Sequence, residues 1–377
     1  MPKARSRGRR DSLFFTVVVT VIVLLCALPI ALVISMSGAP DSLVLATVLA
    51  ALPVGPLVSC YLWLDRYEPE PRYLLALGLA WGGFVATAVA LLLQGLGGFA
   101  GGLTTQQQLS VFAPLTEEAT KGAFLLLLLW WRRNELDGIL DGIVYAGMVG
   151  IGFAFTENIL YLAAAYNGTD GSAPGGVEAL TGTFLVRCIA APFAHPLFTT
   201  FTGIGVGIAV ATRSPLLRLV APLAGYVAAV LAHGLWNGST LGGVNNFLTV
   251  YITLMVPVFV AVVGFAVWRR RAERTMLTRS LADASARGLI PATDISWVVD
   301  LRARKSARRH ALKHGGSEGE AAMAEYQQVA IELGFLHHRY LRGTAPQDFA
   351  ARGQDYVTRL QSVRPYISFP GQVVPTR

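Results

Sequence analysis

Glu117, Glu118 and Lys121 lie in an otherwise apolar run, 109–131, where ionisable side chains are out of place. A charge near a bilayer centre costs roughly 2.5–3.5 kcal/mol on insertion scales, so three in one span mark a functional site. Glu117 and Lys121 are four apart and Glu118 and Lys121 three apart, so on a helix the ammonium reaches either carboxylate. The expected local state is one ion pair and one free carboxylate, an arrangement suited to a general base.

Further polar residues recur in apolar runs downstream. Gly152-Phe-Ala-Phe-Thr-Glu-Asn adds Glu157 and Asn158, and Ala191-Pro-Phe-Ala-His-Pro sets His195 between two prolines that free backbone carbonyls beside it. Arg187 shares that second segment, and His233-Gly-Leu-Trp-Asn puts His233 and Asn237 at i, i+4 on one helix face. Taken singly, each has a plain structural explanation: an interhelical hydrogen bond, a polar contact, an interfacial cap. Gly203-x-Gly-x-Gly207 reads as close helix packing, since a nucleotide loop would be in the wrong setting.

The elements that carry these residues are membrane helices. The chain has 377 residues, 53% hydrophobic and 14% charged, with a mean hydropathy of +0.51, which excludes an ordinary soluble globule over its whole length. Runs long enough for a ~30 Å hydrocarbon core fall at 13–36, 42–64, 72–98, 109–131, 138–165, 181–211, 216–238 and 246–268. The fold class is therefore all-α: a polytopic membrane bundle of about eight helices with a small helical cytoplasmic C-terminal segment.

Lys and Arg distribute as the positive-inside rule requires. Lys3, Arg5, Arg7, Arg9 and Arg10 precede the first span, and Arg66, Arg72, Arg132, Arg133, Arg213, Arg218 and 269–271 mark alternate loops, while 37–41, 99–108, 166–180 and 239–245 carry neither residue. Both termini are expected in the cytoplasm, with the chain a multi-pass protein of the plasma membrane. The first run is too long for a signal-peptide core and lacks a small-residue cleavage site, so it reads as an uncleaved span and Arg9-Arg10 as no export signal. Cys26 lacks the small residues of a lipoprotein site, and Cys26, Cys60 and Cys188 all fall in spans, implying no disulfide framework.

Three regions follow: a basic N-terminus, 1–12; an eight-span membrane domain, 13–268; and a basic, mostly helical tail, 269–377. Helical spacing in the tail covers 295–313, 317–341 and 347–363, the second opening on a Ser317-x-x-Glu320 capping box, with Gly315-Gly316 and the Gly343–Pro346 turn between them. Its core is expected to be small and 364–377 frayed. His310, His314, His337 and His338 lie here; the first two have a metal-compatible spacing, yet arginines surround them and a solvated helix face is the better reading. The net charge of +8 sits at span ends and in the tail. That pattern is topology first; contact of 269–271 and 302–313 with anionic membrane lipid is compatible with it, and no nucleic acid partner is needed.

Topology compares depths. Glu117 and Glu118 come about eight residues, or ~12 Å, below the outer end of the fourth span. Glu157 lies about eight residues from the outer end of its span and His233 about five, with His195 expected deeper. Lys121 is the one lysine between residues 4 and 304, and His195 and His233 are the histidines of the membrane half. Scarce residue types thus converge in the outer half of the bundle. Glu118, Glu157, His195 and His233 are candidate Zn²⁺ ligands with an open position for water. Equally, a glutamate alone could activate water while His and Asn donate to an oxyanion. No His-Glu-x-x-His occurs.

This pattern resembles the PrsW family of intramembrane proteases, related to the CAAX-prenyl and bacteriocin-processing endopeptidases. The resembling stretch, roughly 55–240, comprises Trp63-Leu-Asp-Arg-Tyr-Glu-Pro-Glu-Pro71, Glu117-Glu118-x-x-Lys121, Phe153-x-x-x-Glu157-Asn158, the Pro-flanked His195 and His233-x-x-x-Asn237. The resemblance implies cleavage of a single-span membrane protein near the extracytoplasmic side, in the best-known cases the first cut of an anti-sigma factor. It further implies that one Glu of the pair activates water, that Glu157 and His195 orient water or bind metal, and that His233 with Asn237 stabilises the oxyanion. The family's second motif has Glu157 where the prenyl endopeptidases have His. The tail lies outside the resemblance.

Two other classes compete. An ion- or proton-coupled transporter could use the same Glu/Lys/His relay, although no second Glu-Glu-x-x-Lys or matched half appears. A catalytically silent scaffold would tolerate exchange of these polar residues.

Overall fold

The computed structural model describes residues 4–132, 135–168 and 175–371; Arg133 and the last six residues of the Pro-rich end lie outside the described residues. All regular structure described is helical. The chain divides into two units, Met1–Leu64 with Glu70–Ala266, and Asp65–Pro69 with Val267–Arg377.

In the first unit α1 (Ala4–Met36) leads to α2 (Pro40–Ala51) and α3 (Val54–Leu64), then α4 (Arg72–Ala80), a π-helical segment Trp81–Ala86 and α5 (Thr87–Gly101). A short α6 (Thr105–Gln107) and a second π segment, Gln108–Phe112, introduce α7 (Ala113–Trp131), followed by α8 (Ile139–Asn167). Next come α9 (Val177–Phe184), a π segment Leu185–Ala190, α10 (Ala194–Ala211), α11 (Pro215–Leu241), α12 (Gly243–Val250) and the start of α13 (Val256–Ala286), whose residues from Val267 on belong to the second unit.

Among the described residues seven helical runs are long and apolar enough to cross a membrane: Leu13–Met36, Pro40–Leu64, Arg72–Gly98, Ile139–Asn167, Val177–Ala211, Pro215–Leu241 and Gly243–Ala286. This is a multi-pass helical membrane protein. The run expected at 109–131 is helical too but does not count among the seven, because Glu117, Glu118 and Lys121 fall together in it. The expected second span is two helices parted at Leu52 and Pro53, and the sixth breaks at Ala191, Pro192 and Phe193 before restarting at Ala194.

Almost all of α8 is buried, whereas α1 and α11 leave long apolar side chains such as Leu25, Leu28, Leu219 and Leu231 exposed, as lipid-facing helices do. Close approach by glycine holds α8 in place. A Cβ on Gly152 would lie 1.9 Å from the Leu79 carbonyl oxygen, and one on Gly142 would lie 2.1 Å from that of Gly203 in α10. Small residues bring membrane helices to backbone contact in this way.

In the second unit α14 (Ile295–Val299), α15 (Leu301–Leu341) and α16 (Phe349–Val363) pack around Leu281, Val298, Tyr326, Val329 and Phe369. The helix expected over 295–313 is divided at Asp300, whose carboxylate accepts from the Arg302 and Ala303 amides and caps α15. α15 then kinks at Gly316 (φ 62°), where the glycine pair predicted a separation. The stretch expected to fray is packed as far as Phe369, which is fully buried and stacks on Trp297 at 5.5 Å. Asp294, also buried, accepts from Tyr326 (2.6 Å) and Arg364 (2.7 Å) and ties three segments together.

Candidate active site

The site grows from α7. Its first turn follows a π segment, a geometry frequent at functional positions, and its register sends Glu117, Glu118 and Lys121 inward, where all three are buried. Lys121 Nζ lies 2.8 Å from Glu118 Oε1, 3.4 Å from Glu117 Oε2 and 3.1 Å from His195 Nδ1, and 3.7 Å from the centre of the Phe153 ring. The three ammonium protons therefore have three acceptors. The expected division into one paired and one free carboxylate becomes an unequal sharing, with Glu118 the closer partner.

Glu118 is fully buried: Oε1 also meets His233 Nδ1 at 2.9 Å, and Oε2 accepts from Thr199 Oγ1 at 3.2 Å. Glu117 is held more loosely, by Lys121 and by Gln94 Nε2 at 3.2 Å, with His233 Nε2 at 3.7 Å. Glu157 Oε2 accepts from Arg187 and lies 2.6 Å from His195 Nε2. Asn158 Oδ1 accepts from Arg187 Nε at 2.8 Å, and the guanidinium lies 4.0 Å over the Tyr161 ring. Asn237 stands at the edge, donating to the Leu109 carbonyl at 3.1 Å.

These contacts fix the imidazoles. Carboxylates only accept, so His233 presents an N–H from Nδ1 to Glu118 while its Nε2 faces Glu117, and His195 presents an N–H from Nε2 to Glu157 and accepts from Lys121 at Nδ1. The rings lie edge to face, 5.1 Å between centroids, with Phe198 stacked on His233 at 4.7 Å.

A cavity of about 250 Å³ opens on this cluster, and both Glu117 and Glu157 line it, with Gln94 and Asn237. All eight expected residues are thus gathered here. His195, expected deeper, meets Lys121 and Glu157 directly from the first turn of α10, just after the break at Ala191, Pro192 and Phe193. Gln94, Arg187 and Thr199 complete the network without having been assigned a part. Arg187 was readable as an intramembrane charge, whereas Gln94 and Thr199 are single polar residues in apolar helices with no spacing signal.

For a metal ion the closest set among the described residues is Glu117, His195 and His233, each offering one ligand atom within 4.8 Å of the others. Carboxylate oxygen and imidazole nitrogen are the usual donors of catalytic zinc. Tetrahedral ligands at ~2.0–2.2 Å stand roughly 3.4 Å apart, so a moderate closing of these side chains accommodates the ion. The donor set fits in kind, with His195 Nδ1 exchanging the Lys121 ammonium for the ion. Glu118 and Glu157, expected as ligands, instead hold the two rings from behind, as carboxylates do around histidine ligands.

Fold and site together define a polytopic helical membrane protein with a buried carboxylate and imidazole cluster reached from one cavity. Residues 70–262, just over half of the chain, match the PrsW family intramembrane metalloprotease, and the chain belongs to this family. It is similar to Protease PrsW of Geobacillus kaustophilus (strain HTA426), 30% identical over 153 residues, or 40% of this chain and 60% of that protein. It is also similar to Protease PrsW of Oceanobacillus iheyensis, 28% identical over 137 residues, or 36% of this chain and 56% of the relative. The chain thus spans less than two thirds of the length of these curated relatives. No solved structure matches it significantly.

Proposed function

We propose that this protein is an intramembrane endopeptidase that hydrolyses a peptide bond of a single-span membrane protein near the extracytoplasmic face of the plasma membrane. The observation that carries the reading is the shared cavity wall: Glu117 and Glu157 face one chamber, while Lys121, His195 and His233 stand behind them in fixed hydrogen-bonding states.

Of the adjacent pair, Glu117 is the carboxylate that opens on the chamber and is held at longer distances than Glu118, which supports its role as the base that takes a proton from water. The water oxygen bonds to the scissile carbonyl carbon, the C–N bond breaks, and the proton held on Glu117 passes to the leaving amine. Asn237, with one amide proton committed to Leu109, retains a second for the developing oxyanion. In the alternative, metal-assisted route Glu117, His195 and His233 would hold a zinc ion, which when bound acidifies water and polarises the carbonyl, and Glu117 would then serve as ligand rather than as base. Glu118 keeps Nε2 of His233 free, and Lys121 balances the carboxylate charge. An anti-sigma factor or similar regulator is the substrate class we propose. We also propose that both termini are cytoplasmic, so that reporters fused after residues 105 and 270 read outside and inside.

The test is reconstitution with single-span peptides. Wild type should cut within the outer half of the span, Glu117→Gln and His233→Ala should not, and a chelator should remove activity that Zn²⁺ restores. Equal cleavage by all three proteins would remove the chemistry from this cluster, and indifference to chelation would remove the metal.

A further inference from the structure

The chamber beside Glu117 and Glu157 is larger than hydrolysis needs. One water occupies roughly 10–15 Å³ by the same measure, and the chamber offers about 250 Å³. Away from the carboxylates its wall is apolar, built from Ala90 and Leu91 of α5, Leu109, and Leu160 and Ala164 of α8. A lipid acyl chain would match that half alone, leaving two carboxylates and the Gln94 amide beside a chain that offers them no donor, an unfavourable desolvation. A polypeptide in extended form satisfies both halves: its backbone N–H groups reach the polar wall while a side chain enters the apolar one.

We propose that this chamber is a specificity subsite for the apolar side chain of the substrate residue adjoining the scissile bond, with Ala90 and Ala164 setting the largest side chain admitted. The inference rests on the endopeptidase reading above. Ala90 and Ala164 are on two different helices and present only methyl groups to the space, so a larger residue at either fills it directly. Leu160, one turn before Ala164 on α8, works in the opposite direction, since its truncation enlarges the space.

The experiment uses the full-length protein in liposomes with a pool of synthetic single-span peptides whose outer-half residues run through Ala, Val, Leu and Phe. Mass spectrometry reads the residues flanking each cut. Wild type should favour Leu and Phe over Ala on one side of the cut. Adding bulk to a pocket shifts discrimination by about 10–200-fold per methylene-scale change, so Ala90→Leu and Ala164→Leu should move the Leu-to-Ala ratio at least about tenfold toward Ala. Leu160→Ala should move it toward Phe, which keeps the test decisive should either bulky variant misfold. Cleavage with an unchanged flanking distribution in the variants overturns the subsite and leaves the protease reading standing. A wild-type protein that cuts no peptide overturns both.

Discussion

His233 Nδ1 lies 2.9 Å from Glu118 Oε1, although 115 residues separate them in the chain. The contact turns Nε2 toward Glu117, so a residue that never touches the chamber governs one that does. Glu118→Gln can present an amide N–H to Nδ1 and reverse the ring's proton. Loss of such a ring-orienting partner reduces metal affinity or turnover by about 10–100-fold, and we expect that drop with little change in thermal stability. Zinc content and turnover at saturating peptide measure it; wild-type values for both would end the orienting role.

Arg187 joins Glu157 and Asn158 from a segment of irregular helix. Removing one partner of a buried pair is strongly destabilising, because the other charge stays behind. Arg187→Ala should therefore lower the detergent Tm and abolish cleavage. Arg187→Lys keeps the charge but loses the planar fork that reaches both residues, so folding should recover while turnover stays depressed. An alanine variant that melts and cuts like wild type would show that the pair is dispensable.

Gly152 and Gly95 are opposite cases on paper and in the bilayer. A Cβ at Gly152 meets the Leu79 carbonyl oxygen at 1.9 Å, whereas one at Gly95 meets nothing within 4 Å. Gly152→Ala forces two backbones apart and should cost at least about 1–3 kcal/mol. Gly95→Ala, in the interior of α5, should be neutral or gain roughly 0.5–1 kcal/mol. Comparing their unfolding in mild detergent checks both signs, and equal Tm values would contradict the packing.

Much of this was legible from the chain alone. Charged side chains inside apolar runs are costly enough to name themselves, which is why Glu117, Glu118, Lys121 and Glu157 stood out before any coordinates. Span positions followed from hydropathy, apart from α7, which its own three charges keep out of the seven apolar runs, and the breaks inside the second and sixth spans. What stayed hidden depends on tertiary approach: Gln94 against Glu117, Thr199 against Glu118, the π segments, and which glutamate of the pair opens on the cavity. Neighbouring glutamates on one helix have identical sequence credentials, and only the partners converging from α5, α10 and α11 tell them apart.

The C-terminal unit should respond to acid through Asp300. Amides of Ala303 and Arg302 hold the Asp300 carboxyl below its ordinary 3.8. A carboxyl depressed in the folded state adds stability above its unfolded value, and that stability is lost as pH falls through the lower folded one. Hydrogen exchange over 301–310 should be faster in Asp300→Ala than in wild type at neutral pH, by an amount matching a cap of about 1 kcal/mol. The gap should close as pH falls below the ordinary aspartate value and the wild-type carboxyl protonates. A gap that persists in acid would assign the effect to something other than charge.

The charges of α7 also set a timetable for synthesis. The partners of Lys121 and Glu118 in α10 and α11 lie 74 and 115 residues downstream. At ~5–20 residues per second, the second of these delays lasts roughly 6–23 s. Through that interval its glutamates and lysine can answer one another and Gln94 of the preceding α5 but not the histidines, and its hydropathy alone does not carry it into lipid. Its integration is consequently a cooperative event completed by later helices, and truncation before His233 should strand α7 at the membrane surface.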